Sequence, residues 1–380
     1  MQQNNLVKTL LDFEPTDFPF ISAYINTEPD QNGKFNYKLL TETELKQNAE
    51  NFEMRSERRK SFDNDAKRIM DFLENIDPTT KGVAIFASSG AGFFKGLQYE
   101  VPFEEDHFFV FDKPHVYPLV RLLEQNPAFA VLLADTNSAH IFVFRGGETL
   151  ETHDIENVKT NRTEVGGWSQ ARYQRHVEIF HQQHAKEAVE GLAKIVRRER
   201  IDKIILAGDE TVIIPLLRSE LPKDIEECVV GTLPLNVHTP PHEILEAAKK
   251  AIHFNDTLED KKKIDFLFDQ NYDGGVGVTG AEKTLAALLN GQVRELYLNA
   301  DFDSIEYDSG AMMIVMSDYA PGLDEDLPST SLRGMIIDEL IKRATLSADE
   351  IRFIEDINLL KEAGGIGALL RYQAKGVSNQ

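Results

Sequence analysis

The stretch 128-AFAVLLADTNSAHIFVFRGGETLETHDI-155 decides the fold class. Apolar runs at 129–134 and 139–145 flank the turn residues Asp135, Thr136, Asn137 and Ser138, and Gly146-Gly147 precede a third run. Short apolar runs broken by turn formers predict an antiparallel meander. Downstream, a long helical pattern runs to Arg200. It is followed by a strand in IDKIILAG, a helix in TVIIPLLRSEL and a strand in CVVGTLPL. Strand, helix, strand predicts parallel pairing beside the meander, hence a mixed sheet of the α/β class.

The flanks continue the α/β (α+β) pattern. Upstream lie a strand in FPFISAYIN, helical composition from Asn36 to Asn75, and short strands around GVAIFAS and HFFVFD. A helix in HVYPLVRLLEQN completes that side. Downstream, the Pro-Pro of VHTPP (237–241) interrupts both periodicities and marks a boundary. A long helical segment follows, then a glycine-rich turn, the helix AEKTLAALLN, the strand VRELYLN and an acidic loop at 317–330. A helix, a strand and the ending GGIGALLRYQ close the pattern. A chain of 380 residues exceeds one ordinary core. The expected domains are 1–127, 128–236 and 237–380.

The formal charge of −22 argues against unselective nucleic-acid binding. Its distribution is uneven. Lys159–Lys203 holds ten Lys/Arg against six Asp/Glu, whereas Asp301–Asp356 holds fourteen acids against four bases. No run of eighteen apolar residues predicts a membrane helix. The first residues lack the pattern of a signal peptide, and one cysteine, Cys228, suits a reducing compartment, so a cytoplasmic location is expected. Within ECVVGTLPL, Cys228 reads as a buried structural thiol.

Two motifs resemble ligand sites and fail on context. Gly275-Val-Gly-Val-Thr-Gly280 spells GxGxxG before a helix, but LFDQNYDGG in front of it is no strand, so no nucleotide cofactor is expected. His176, His181 and His184 share a helix without a carboxylate completing a ligand set, so no metal is expected. Tyr173, Val177, Phe180, His184, Ala188 and Ile195 fall on one helical face, which makes His184 core-facing. Arg175, Gln182, Lys186 and Arg197 lie roughly opposite, on a face that is either solvated or in contact with phosphates.

The segment 164-EVGGWSQARYQRHVEIFHQQH-184 carries the chemistry. Ser169 is an N-cap candidate, and Gln170 then sits where backbone donors are unpaired and the helix dipole is positive. Gly166 and Gly167 allow a slim backbone approach. Such a tip can bind an anion or a developing oxyanion. It can equally be a tight turn before a capped helix.

GGWSQARYQRHVEIFHQQH resembles a variant of the Gly-Gly-Gln loop and basic helix of the archaeo-eukaryotic class 1 peptide chain release factors. Gly364-Gly-Ile-Gly-Ala-Leu-Leu-Arg-Tyr372 resembles the close of their third domain. GVGVTGAEKTLAALLNGQVRELYL (275–298) is similar to the strand-helix-strand of that domain, which folds like ribosomal RNA-binding proteins. The chain looks most like bacterial members of that superfamily, which also includes Pelota. The resemblance implies a central domain entering the ribosomal A site, with loop 164–170 at the peptidyl transferase centre. Gly166 and Gly167 would shape the loop, and Gln170 would position water against the peptidyl-tRNA ester. Arg172 and Arg175, with Lys186 and Arg197 further along the helix, would contact ribosomal RNA. A translational GTPase is an implied partner. Trp168 and Ser169 stand between the glycines and the glutamine, and the first domain lacks an Asn-Ile-Lys-Ser stop-codon motif. A codon-independent role therefore fits best: release of the peptide on stalled ribosomes, or non-hydrolytic occupation of the A site in stall recognition or hibernation.

Overall fold

The computed structural model describes residues 2–145, 148–156, 168–272, 274–307, 310 and 329–372. The chain forms two compact units, one of residues 1–125 with 260–380, the other of residues 126–259.

The first unit begins with α1 (Gln2–Leu11), β1 (Phe20–Asn26), α2 (Tyr37–Ala49), α3 (Glu57–Glu74) and β2 (Gly82–Ser88). It continues with β3 (Phe93–Tyr99), β4 (His107–Phe111) and α4 (Tyr117–Gln125). The strands make an antiparallel sheet in the order β3-β2-β1-β4. Strand β3, in FFKGLQY, carries no clean alternation and escaped the sequence reading. Strand β1 alternates, and each face has its own partner. Ile21, Ala23 and Ile25 pack with Phe62, Ile69 and Leu73 of α3. Phe20 and Tyr24 face a different core.

That other core is shared with the distant half of the same unit. There, β10 (Gly277–Thr279), α9 (Ala281–Leu289), β11 (Val293–Asn299), α10 (Ser329–Ser347), β12 (Glu350–Ile354) and β13 (Ile366–Leu370) follow one another. The sheet order is β10-β13-β11-β12, with only β11–β12 parallel. Phe20, Tyr24 and Phe86 from the early residues share one cluster with Leu285, Leu298 and Ile336 from the late ones.

A polar knot joins the same two halves. The Asp338 carboxylate in α10 accepts from the backbone N–H groups of Val116 (3.0 Å) and Tyr117 (3.2 Å), at the start of α4. Its other oxygen lies 2.5 Å from Nδ1 of buried His115. The hydroxyl of Tyr24 donates to the His115 carbonyl at 2.5 Å, and that of Tyr117 to the Ala300 carbonyl at 2.5 Å. An acidic group at a helix N-terminus satisfies donors that the helix itself cannot. Here the cap comes from more than two hundred residues away.

The central unit is a sheet in the order β7-β6-β5-β8-β9. Strands β5 (Phe129–Ala134), β6 (Ser138–Arg145) and β7 (Glu148–Glu156) form the expected meander. Strands β8 (Lys203–Gly208) and β9 (Val229–Leu233) add in parallel to β5. Helices α5 (Trp168–Glu199), α6 (Ile213–Glu220) and α7 (Lys223–Glu226) intervene. Ala130, Leu132 and Ala134 pack on the α5 face, while Phe129, Val131 and Leu133 pack on Ile244, Ala248 and Ile252. Those three belong to α8 (Pro241–Asp269). Pro241 therefore opens a helix, where its missing N–H costs nothing, and the boundary between compact units falls later, at Glu259/Asp260. From Asp260 on, α8 belongs to the first unit. There Arg352 donates to Asp260, and Lys263 reaches Glu295 (3.1 Å) and Glu350 (2.5 Å).

Asp338→Ala would leave a buried imidazole and two backbone donors without their acceptor, a loss on the order of 3 kcal/mol. Urea unfolding should show that loss, whereas a variant within 0.5 kcal/mol or so of wild type would contradict the knot's role.

Asp65 in α3 is fully buried and accepts from the N–H (2.8 Å) and hydroxyl (2.5 Å) of Ser89. Burial pushes its carboxyl above the usual range, outweighing the two Ser89 bonds. The folded state thus holds this proton more tightly than the unfolded chain. Its stabilising contribution is complete below the ordinary carboxylate pKa of about 4 and is lost as pH rises through the raised value. Asp65→Asn should therefore gain on wild type in urea midpoint between pH 4 and 7; parallel curves would exclude the effect.

Candidate functional site

Strand directions fix where α5 must point. Strand β6 is antiparallel to both β5 and β7, so β7 runs with β5, β8 and β9. All four parallel strands end at one edge of the sheet, the edge where open α/β sheets place their ligand sites. Three residues join the end of α5 to the start of β8, so α5 ends at the opposite edge. Its N-terminal half then points toward the edge where the strands finish.

Length decides how far it goes. A six-residue strand such as β8 spans roughly 20 Å, whereas the thirty-two residues of α5 span roughly 48 Å. Side chains agree with the mismatch. His184, Ala185, Ala188, Val189, Leu192, Ala193, Ile195 and Val196 are buried. Ile179, Phe180, Gln182 and Gln183 are exposed. From His184 back to Trp168 the helix runs sixteen residues, roughly 24 Å.

The structure places the sequence-derived residues unevenly along this element. Gly166 and Gly167 lie outside the described residues. Gln170, Arg172 and Arg175 belong to the first turns of α5 by backbone, and their side chains lie outside the described ones. The described part of α5 begins at Trp168, and Ser169 lies within the helix rather than at its cap. Lys186 and Arg197 are exposed, as the face opposite the apolar stripe requires. His184 is buried, as expected, but Phe180 is 41% exposed because the sheet no longer lies beneath it. Tyr173 and Val177 have side chains outside the described ones.

Arg197 has a partner that spacing along one helix could not reveal. It grips Asp224 of α7 through Nε (3.0 Å) and one terminal nitrogen (2.8 and 3.0 Å). Arg198 pairs with Glu199 at 2.9 Å, and Arg145 reaches the same carboxylate at 3.4 Å. The base of α5 is thus balanced by acids of its own unit. Just before the buried face, the Gln182 amide donates to Glu220 at 3.2 Å.

The remaining motifs are structural. Strand β10 runs inside GVGVTG rather than leading into it, and it pairs antiparallel with β13. A Cβ on Gly275 would stand 2.0 Å from the Gln270 carbonyl oxygen, and one on Gly277 would stand 2.5 Å from that of Leu267. These glycines let the chain lie against the end of α8. In the ending, Gly364 and Gly365 take positive φ (66° and 78°) before the buried strand β13. Cys228 is half-buried rather than buried, and burial pushes its thiol pKa up. Among the described residues, no group of three or more His, Cys, Asp or Glu could hold a metal, and no helix is long and apolar enough to cross a membrane.

The chain resembles bacterial members of the archaeo-eukaryotic release factor superfamily. Residues 114–253, which hold α4, the sheet of the central unit, α5 and the first half of α8, match the model of bacterial archaeo-eukaryotic release factor family 10. Peptide chain release factor subunit 1 of Methanocaldococcus jannaschii is 23% identical over 245 residues, which is 60% of this chain and 58% of that protein. Eukaryotic peptide chain release factor subunit 1 of Schizosaccharomyces pombe is 24% identical over 302 residues, 72% of this chain and 69% of that one. The match thus spans little more than half of the archaeal relative. Among solved structures, a model of ribosome-bound archaeal Pelota and ABCE1 overlaps 98% of this chain and 95% of that one at 12% identity. Its TM-score of 0.40 marks a loose superposition.

Proposed function

We propose that this protein is a codon-independent factor that enters the ribosomal A site and hydrolyses peptidyl-tRNA on stalled ribosomes. The observation that carries this reading is α5: a helix anchored at one end in a sheet, whose backbone runs about 24 Å from His184, the first buried of its described side chains, to Trp168 of the GGWSQ stretch. A slender projection suits a narrow, RNA-walled site, and its sequence puts Arg172 and Arg175 near the tip. On this reading residues 128–236 are the entering module, flanked by 1–127 and 237–380, and a translational GTPase delivers it.

The chemistry asks little of the protein. Water attacks the ester carbonyl, a C–O bond forms, and the bond to the tRNA ribose oxygen breaks while that oxygen takes a proton. The Gln170 amide can accept from the water, and unpaired N–H groups at the helix start can stabilise the oxyanion. Arginine suits the phosphate contacts because its charge is permanent and its donors form a fixed fork.

One observation favours a second reading, occupation of the A site without hydrolysis, in stall recognition or hibernation. Gln170 is already helical by backbone, two residues after Trp168 opens α5. A glutamine built into a helix has less freedom to approach the ester than one in a loop.

On stalled complexes carrying labelled peptidyl-tRNA, Gln170→Ala should slow release on the order of 10²-fold. Equal release would remove Gln170 from the mechanism. Wild type that binds without releasing would select the second reading.

Co-sedimentation with 70S ribosomes should weaken steeply with salt and vanish in the Arg172→Glu, Arg175→Glu double variant. Arg197→Ala should sediment like wild type, because Asp224 already holds that guanidinium. Equal losses in both variants would extend the RNA footprint to the base of the helix.

A further inference from the structure

We propose that a cavity of about 430 Å³ in the first unit binds an organic cation with an apolar stem, an alkylguanidinium or an alkylammonium group. The volume falls within the range of small-ligand sites. Three segments build it: the loop that leads from β3 into β4, helix α4, and the loop after β11. They are far apart in sequence and belong to one compact unit. The inference goes beyond the release activity and does not depend on it.

The lining has two chemical layers. Its floor is apolar. Phe103 and Tyr117 are each 4% exposed, and Pro118 and Leu122 are buried beside them. Its rim is acidic and exposed, with Glu104 and Glu105 from the first loop and Asp301 and Asp303 from the last. Against these four carboxylates stands one guanidinium, that of Arg121, and Glu104 already neutralises it by accepting from Nη2 at 2.7 Å. His107 also lines the cavity. Burial pushes its imidazole below the ordinary range despite nearby Glu105 and Asp106, so it adds no charge at pH 7. The Asp301 carboxylate accepts the N–H of Asp303 at 3.1 Å. Neither Asp301 nor Glu105 has an ion-pair partner among the described residues.

Such a lining discriminates by chemistry. An anion is repelled at the rim, and a purely apolar ligand gains nothing from the carboxylates. A cation on a methylene stem meets both layers. The stem leaves water against the buried floor while the head stays at the solvated rim, as lysine and arginine side chains do on protein surfaces. Aromatic surface adds attraction for the cation itself. An exposed carboxylate without an apolar layer beneath it attracts cations only weakly and diffusely. Because the lining comes from both ends of the chain, a bound cation would also stabilise their union, beside the Tyr117–Ala300 hydrogen bond. Two sources carry this chemistry: an arginine or lysine side chain of a protein partner, and a free polyamine.

The test is calorimetric titration of the full chain with an arginine tripeptide amide, its neutral citrulline counterpart and spermidine. The arginine peptide or spermidine should bind saturably, with Kd on the order of 1 mM or below, and the tighter of the two identifies the source. That ligand should bind the Glu105→Gln, Asp301→Asn double variant roughly 10-fold more weakly, since each surface ion pair contributes a few-fold. Asp71→Asn with Glu74→Gln removes the same charge from the exposed side of α3 and should bind like wild type. In wild type the bound cation should also slow carbodiimide labelling of Glu105 and Asp301 while leaving Glu74 unchanged. Citrulline and arginine peptides that bind alike would overturn the cation. Equal losses in the two double variants would reduce the effect to net charge. Unslowed labelling, or no saturation by either cation up to about 10 mM, would remove the site.

Discussion

A helix rises 1.5 Å per residue and a strand about 3.3 Å, and in the central unit a thirty-two-residue helix lies along strands of five to nine residues. Among the described side chains of α5, those of Ile179–Gln183 are at least partly exposed and the buried face begins at His184. The half from His184 onward carries alanines that let it lie close to the strands, and Arg197 and Arg198 near its end pair with Asp224 and Glu199. Earlier in the sequence come Arg172 and Arg175 of α5 and, ahead of the helix, the glycine pair.

The first unit solves a different problem. Neither of its two four-stranded sheets covers both of its own faces. Phe20, Tyr24 and Phe86 of one and Leu296 and Leu298 of the other face a common core. Apolar surfaces facing each other still admit sliding. Asp338 limits that freedom by accepting from two specific N–H groups at the start of α4 while one of its oxygens contacts His115. A carboxylate that caps a helix from another segment fixes position as well as contributing energy.

What could be read from the chain follows from the range of the forces involved. The meander, α5 and the mixed sheet were legible because turn residues and apolar periodicity act locally. Phe129–Ala134 and Ile204–Gly208 are almost uninterrupted apolar runs, as buried neighbouring strands require. Strand β3 was not legible, since FFKGLQY packs half-buried at a sheet edge and shows neither period. The joining of 1–125 with 260–380 was equally hidden, because an Asp338 that reaches Val116 leaves no trace in local pattern. At the site, the buried face was legible from His184 onward and misjudged at Phe180. Helical periodicity says which way a side chain points but not whether anything lies there. The partner of Arg197 on α7 was invisible for the same reason.

Two glycine pairs show how far spelling alone can carry. Gly364-Gly365 has a structural cause: both residues take positive φ, and a Cβ on Gly365 would stand 2.8 Å from the Asn299 amide nitrogen and 2.9 Å from the Ser304 carbonyl oxygen. No partner outside the chain is needed to explain that pair. Gly166-Gly167 lies outside the described residues, and among the described side chains of the helix that follows it the first buried one is His184. A chain of net −22 repels polyanions at long range, and within about 8 Å at physiological salt its local charges dominate. On the function proposed above, Arg172 and Arg175 would be the local charges that meet RNA, while the net charge would suppress unspecific adhesion.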